Sequence, residues 1–211
     1  MIRLVIFDLD GVLVDACEWH RQALNRALRA VSDYEISLED HVSTFNGIPT
    51  RVKLTKLVEL EIVEEGQIEE IYRLKQDLTV QLIEESAHER QEKIDLVNWL
   101  KEKGVKVACY TNSIRKTADL MLEKTGVFSL LDRIITNQDV KESKPSPEGY
   151  VDLVRHYGLD PGEVIIVEDS PKGLQAAYAS GCSVMEVPNA DAVNKENVRR
   201  FINENFDTDG W

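Results

Sequence analysis

The sequence predicts an α/β protein, a parallel sheet with helices on both faces that carries an inserted all-α segment. Three observations predict it. Five short, almost wholly apolar runs rich in β-branched residues are scattered along the chain. From residue 93 onward they alternate with stretches of helical periodicity, the pattern of parallel strands covered on both faces. Between the first run and the others, residues 16–88 hold no convincing strand.

The first strand is Leu4 to Phe7. Asp15-Ala-Cys-Glu18 has the spacing of a capping box, with Asp in place of Ser or Thr, and predicts a helix start. Leu54, Leu57, Val58 and Leu60 fit one helix face; Ile68, Ile71, Leu74, Leu78 and Leu82 recur at 3, 3, 4 and 4 and fit another. Both junctions of this segment are polar, at Asp15 and from Ser86 to Glu92, so a hinge is expected there. Beyond it, helices over Leu96 to Lys103, Thr117 to Lys124, Glu148 to Tyr157 and Leu174 to Ala179 alternate with strands. Those strands are Val105 to Cys109, Arg133 to Ile135, Val164 to Val167 and Ser183 to Val187. The expected division is a sheet core of residues 1–15 and 89–211 with a helical domain of residues 16–88.

With 211 residues, 43% of them hydrophobic, the chain buries enough surface to need no disulfide or metal staple and is not a disordered chain. The balance of 25 basic and 38 acidic side chains, a net of −13, opposes nucleic-acid binding and docking on anionic membranes. Between Glu59 and Asp95 stand 12 acidic and 4 basic side chains, a net of −8, read as a solvated helix face. No run of 18 apolar residues predicts a membrane span, and the start lacks the features of a signal peptide. Cys17, Cys109 and Cys182 are odd in number, widely spaced and without a C-x-x-C pair. They read as buried small hydrophobes, and a cytoplasmic location is expected.

Sites in α/β sheets form at the carboxyl ends of the strands. Asp8-Leu-Asp10-Gly-Val-Leu-Val-Asp15 follows the first, Thr111-Asn112-Ser113 the second and Glu168-Asp169-Ser170-Pro171 the fourth, with Lys144-Pro145 ahead of a helix. Asp8 and Asp10, at i and i+2, point to one face if the segment is extended, where two carboxylates repel unless a cation separates them or one is protonated. Together with Glu168 and Asp169 they make an all-oxygen acidic set that suits Mg²⁺ rather than zinc. Thr111 offers a hydroxyl, Asn112 and Ser113 offer amides near a helix start, and Lys144 offers a point charge: an anion site. Ser170-Pro171 also fits an N-cap and first-turn proline. The set asks for a dianion, with a carboxylate placed to attack it, as in aspartyl-phosphate formation.

These four segments resemble the signature motifs of the haloacid dehalogenase-like superfamily, in order and in the separations of 103, 33 and 25 residues between Asp8, Thr111, Lys144 and Asp169. The resemblance covers essentially the whole chain and implies a Rossmann-like core with a four-helix-bundle-like α-helical cap inserted after the first motif. It implies Asp8 as the nucleophile that forms a phospho-aspartyl intermediate and Asp10 as general acid and base. Thr111, Asn112 and Lys144 would hold the phosphoryl oxygens. Mg²⁺ would be bound by Asp8, Asp10 through its backbone carbonyl, and Asp169, with Glu168 beside it or one layer behind. Gly11 would permit the turn. The family's dehalogenases lack the acid at Asp10, which favours a phosphate substrate.

Within the superfamily the chain looks most like the β-phosphoglucomutase and sugar-phosphatase subgroup. His20 matches a cap histidine that couples closure to acid–base work in the mutases. Phe45-Asn46-Gly47-Ile48-Pro49-Thr50-Arg51 resembles the cap substrate loop, making Asn46, Gly47 and Arg51 candidate substrate contacts. Lys75 aligns with a cap lysine, and Trp19 reads as a packing residue. The mutases carry Lys where Asn46 stands, which favours hydrolysis. The expected activity is a Mg²⁺-dependent phosphatase acting on a small, sugar-like phosphorylated metabolite, as a monomer or weak dimer. A sugar phosphomutase is the nearest alternative, then a pyrophosphatase or a silent binding protein that uses the acidic helices. Asn203 to Trp211 has no strong pattern and is read as a frayed end with one anchored Trp.

Overall fold

A computed structural model describes residues 1–45 and 47–206. The sequence readings at Asn46 and at 207–211 lie outside the described residues. The sheet is wholly parallel, with β1 (Leu4–Phe7) at its centre, β2 (Lys106–Tyr110) and β3 (Arg133–Ile135) on one side, and β4 (Val164–Glu168) and β5 (Ser183–Glu186) on the other. The order β3-β2-β1-β4-β5 reverses direction between β1 and β4, where α/β sheets open a crevice at their carboxyl ends.

Alternation along the strands feeds two cores. Val5 and Phe7 of β1, Val107 and Cys109 of β2, and Ile165 and Val167 of β4 pack with α5 (Gln91–Glu102), α6 (Arg115–Thr125) and α9 (Lys195–Asn205). Leu4 and Ile6, Ala108 and Tyr110, and Val164 and Ile166 pack with α7 (Glu148–Tyr157) and α8 (Pro171–Ala179). Strands buried on both faces read as continuous apolar runs, which is why the sequence located them. Each fully buried aliphatic side chain contributes roughly 2 kcal/mol, so the central strand is the most strongly held element of the sheet.

The segment after β1 is helical: α1 (Cys17–Leu28), a short α2 (Leu38–Asp40) running into a π-helical turn at His41–Phe45, α3 (Thr50–Glu59) and α4 (Ile68–Ser86). Leu24, Leu28, Leu54, Leu57 and Ile71 form its separate core, while Ile83 near the end of α4 joins the core of the sheet. Leu60 lies beyond α3 and is exposed. The fully buried residues of α4 are Ile71, Lys75, Thr79, Leu82 and Ile83, and Ile68, Leu74 and Leu78 pack half-buried against the same helical core, so two polar residues share the inward side with the apolar spacing.

The capping box expected at Asp15 does not form. The helix starts one residue later than expected, with Ala16 as the N-cap of α1, and its methyl offers no oxygen to cap with; the Glu18 carboxylate is taken by Arg21 at 2.7 and 2.8 Å and by Gln22 at 3.1 Å. At α8 the expected cap is present: Ser170 Oγ accepts from the Gly173 amide and Pro171 opens the helix. Cys109 and Cys182 are buried and Cys17 is half-buried, all three as free thiols. Among the described residues no helix is long and apolar enough to cross a membrane.

Candidate active site

Asp8 stands directly after β1, with its amide donating to the Val167 carbonyl at 3.0 Å, so the central strand carries it to the crevice between β1 and β4. The chain then turns sharply through Gly11 at φ +94°. A Cβ there would lie 2.1 Å from Asp169 Oδ2, so the turn needs glycine for space as well as for backbone freedom.

Lys144 ties this floor together. Its Nζ donates to Asp8 Oδ1 at 2.5 Å and to Glu168 Oε2 at 2.7 Å, and it lies 4.9 and 5.1 Å from the ring centres of Tyr110 and Tyr150. Burial opposes its charge, but Asp8 and Glu168 outweigh burial and hold its pKa well above the usual lysine value. Glu168 is 0% exposed. It accepts from Lys144 and Tyr150 Oη on one oxygen, and from the Asp169 amide, the Ser170 amide and Ser170 Oγ on the other. A Cβ at Gly173 would meet this carboxylate at 2.0 Å, so only glycine lets α8 approach it.

Asp8, Glu168 and Asp169 present carboxylate oxygens within 4.8 Å of one another. Burial, then the charge of Glu168, pushes the Asp8 carboxyl well above its ordinary range despite Lys144. The same two causes push Asp169 up to about 8, and its buried Oδ1 has no hydrogen-bond partner among the described residues. An orphaned carboxylate oxygen beside two crowded acids fits a hard divalent cation. Glu168, already accepting five hydrogen bonds, stands behind Asp8 and Asp169.

This arrangement has a testable consequence. Between pH 3.8 and about 8 the folded Asp169 keeps a proton that the unfolded chain has lost, and Asp8 acts in the same direction. The contribution of these two carboxyls to the stability of the metal-free protein therefore falls as pH rises through that window, opposed by His20, His41 and Lys75, whose lowered pKa values act in the other sense. Chemical denaturation near pH 5 and near pH 8 with a chelator present should show a less favourable change in the native protein than in Asp169→Asn, and excess divalent cation should shrink that difference. An Asp169→Asn variant with the same pH dependence as the native protein would contradict the raised Asp169 pKa.

Asp10 lines the same cleft but bonds a different set of groups. Its Oδ1 accepts from His20 Nε2 at 2.8 Å, and its Oδ2 accepts from Ser113 Oγ at 2.9 Å and Thr111 Oγ1 at 3.2 Å. Burial would raise its pKa, but His20 and the hydrogen bonds from His20 and Ser113 hold it at about 2. His20 comes from α1, and its Nδ1 lies 3.2 Å from Lys75 Nζ on α4. An ionised carboxylate only accepts, so Nε2–H donates to Asp10. Burial, then Lys75, lowers the His20 pKa against the opposing pull of Asp10.

The helical segment closes over this floor. Asn112 Nδ2 donates to the Gly47 carbonyl at 2.7 Å and the Lys144 carbonyl at 3.1 Å, and its Oδ1 accepts from the Lys144 amide at 3.0 Å. The cleft of about 130 Å³ between the two is lined by Asp8, Asp10, His20, Gly47, Lys75 and Lys144, among others. Arg51 lines it too, but its guanidinium pairs with Glu69 and lies 4.2 Å from the Tyr72 ring centre. Trp19 packs half-buried against the sheet core.

Sequence reasoning missed Lys53, His41 and the aromatic walls Tyr110 and Tyr150. Lys53 shares the inward face of α3 with Leu54 and Leu57. A lysine on an apolar helix face was the available signal.

A parallel sheet, a helical insertion after its first strand and an acidic cluster at the reversal of strand order define an α/β enzyme with its site beneath a helical roof. A family model described as haloacid dehalogenase-like hydrolase matches residues 5–187, and the chain belongs to that family. It is 29% identical over 186 residues to the validoxylamine A 7'-phosphate phosphatase of Streptomyces hygroscopicus subsp. limoneus, covering 86% of this chain and 83% of that protein. It is 29% identical over 183 residues to the phosphorylated carbohydrates phosphatase of Thermotoga maritima, covering 85% and 82%. The crystal structure of β-phosphoglucomutase from Clostridium difficile matches with a TM-score of 0.82 at 22% identity, over 97% of this chain and 98% of that one, a likeness of fold. Family and relatives make this chain a phosphatase-type enzyme.

Proposed function

We propose that the chain is a Mg²⁺-dependent phosphomonoester hydrolase acting on a small, sugar-like phosphate through a phospho-aspartyl intermediate. The observation that carries this reading is the pairing of Asp8 with Lys144 beside the unpartnered oxygen of Asp169, with Asp10 held separately by His20 and Ser113. Two acids in unlike surroundings can take unlike roles.

Asp8 attacks phosphorus, and the bond from phosphorus to the leaving oxygen breaks. Asp10 gives that oxygen its proton. Asp10 then takes a proton from the attacking water as the bond from phosphorus to Asp8 breaks, releasing phosphate. At about 2, Asp10 is ionised at rest and ready for the second step; for the first, the negative charge of the substrate raises it. Thr111, Asn112 and Lys144 orient the phosphoryl oxygens. Asp8, Asp169 and the Asp10 carbonyl would hold Mg²⁺, with Glu168 behind, and the ion supplies positive charge that offsets the phosphate and the crowded acids. Residues 16–88 act as a cap domain on a core of residues 1–15 and 89–211, excluding bulk water when closed. His20, Gly47, Arg51 and Lys75 face the substrate from it, and Asn46 is a further candidate contact by its place in the cap-loop motif of the sequence. Three free thiols and an acidic surface suit a cytoplasmic monomer or weak dimer that binds neither nucleic acid nor membranes.

Asn46, where the family's mutases carry Lys, favours hydrolysis over isomerisation. The test is a panel of small phosphomonoesters incubated with Mg²⁺ or a chelator, assayed for both free phosphate and isomerised ester. Free phosphate that depends on Mg²⁺ is expected. An isomer formed without phosphate release would overturn hydrolysis in favour of the mutase.

A further inference from the structure

The floor and the roof of the cleft differ in how their charges are matched. On the floor Lys144 pairs with Asp8 and Glu168, and from the roof His20 reaches down to bond Asp10. In the roof, Arg51 is matched by Glu69. Lys53 of α3 and Lys75 of α4 are not. They are 6% and 5% exposed, and among the described residues neither pairs with a carboxylate. Lys75 contacts His20 Nδ1, and Lys53 makes no hydrogen bond there. The nearest opposing acid, Asp10, is already engaged by His20, Ser113 and Thr111.

His41 adds an independent observation. It opens the π-helical turn and lines the same cleft, is 2% exposed, and has both ring nitrogens without a hydrogen-bond partner among the described residues. Buried polar groups are nearly always partnered, and buried cations without a counter-charge are strongly disfavoured. Burial alone brings Lys53 to about 8, and burial with Lys53 nearby brings Lys75 to about 7, so both amines gain from an anion docked between them.

We propose that Lys53, Lys75 and His41 form a second anion subsite in the roof, and that the substrate is a small phosphate ester bearing a second anionic group, carboxylate or phosphate, at its far end. This rests on the phosphatase reading above and names the substrate class for it. The two lysines supply point charges and one His41 nitrogen donates to an anionic oxygen. The small cleft limits the spacer between the two groups to a few atoms.

The test is a matched three-carbon series: 3-phosphooxypropanoate against its amide, and 1,3-propanediol bisphosphate against the monophosphate. The native enzyme with Mg²⁺ is expected to favour the charged member of at least one pair by about tenfold or more in kcat/KM, equivalent to about 1.4 kcal/mol. The pair that shows it identifies the distal group. Lys53→Met should bring that ratio to within about threefold of one, the loss falling mainly on the charged member. Equal use of charged and neutral members by the native enzyme overturns the subsite. So does a Lys53→Met loss shared equally by both, which would mean that Lys53 acts only on Asp10. If no member releases phosphate, the hydrolase reading fails separately. Calorimetric titration of Asp8→Asn with the same four compounds then decides the subsite, and needs no change at Lys53. Tighter binding of the charged members supports it, and equal affinities overturn it.

Discussion

Asp8→Asn is expected to reduce Mg²⁺-dependent phosphate release from p-nitrophenyl phosphate by at least about a thousandfold, a barrier increase of about 4 kcal/mol. The amide is nearly the same shape but has no anionic oxygen to form the acyl phosphate. Stability should hold or rise in the metal-free protein. Asp8 is buried, and burial and Glu168 both push against its ionised form. Removing that charge leaves Lys144 paired with Glu168 at 2.7 Å. An inactive but equally stable variant therefore separates chemistry from folding. Full activity in Asp8→Asn would remove Asp8 from the mechanism and take the phospho-aspartyl intermediate with it.

Lys144→Met should fail on both counts. The methionine fills much of the same space but leaves Asp8 and Glu168 facing each other with no cation between them. Breaking a buried ion pair from one side typically costs about 3–5 kcal/mol. Urea denaturation near neutral pH should show a loss of that order, shrinking as pH falls and the two carboxyls take up protons. Activity should be lost with the anchor for the phosphoryl oxygens. The double variant Lys144→Met/Glu168→Gln should regain much of the stability and none of the activity, because one of the two facing charges is gone while the anchor is still missing. A single variant as stable as the native protein would show that the acids do not depend on Lys144.

The sheet was legible because strands covered on both faces are written as unbroken apolar runs, and Leu4–Phe7 and Arg133–Ile135 match to the residue. The second strand is displaced by one position for a local reason. The Val105 amide turns back to the Leu100 carbonyl at the end of α5, and Tyr110 takes its place in the ladder opposite Ile135. The floor of the site was legible for a related reason: acids, a hydroxyl and a lysine in loops at strand ends have few structural duties there. The roof was legible only in part. Lys75 was reached through the family resemblance, whereas Lys53 and His41 occupy inward positions of helical elements, where apolar periodicity looks past a polar residue. The pattern Asp15–Glu18 misled because spacing alone does not say that the helix starts one residue later or that Arg21 and Gln22 take the Glu18 carboxylate.

The central place of β1 also sets a clock. Leu4 to Phe7 are bonded on both edges, to β2 and to β4, and are sealed on both faces. Their amides can exchange with solvent deuterium only when the whole sheet opens. The roof helices are joined to the chain on either side of the site and keep a core of their own, so on the proposed division into cap and core their amides are expected to exchange faster. The proposed nucleophile, Asp8, would then ride on the slowest-exchanging part of the molecule, while the groups that would select the substrate ride on a faster one. Local opening of the roof would admit and release ligands many times over without once disturbing the position of Asp8.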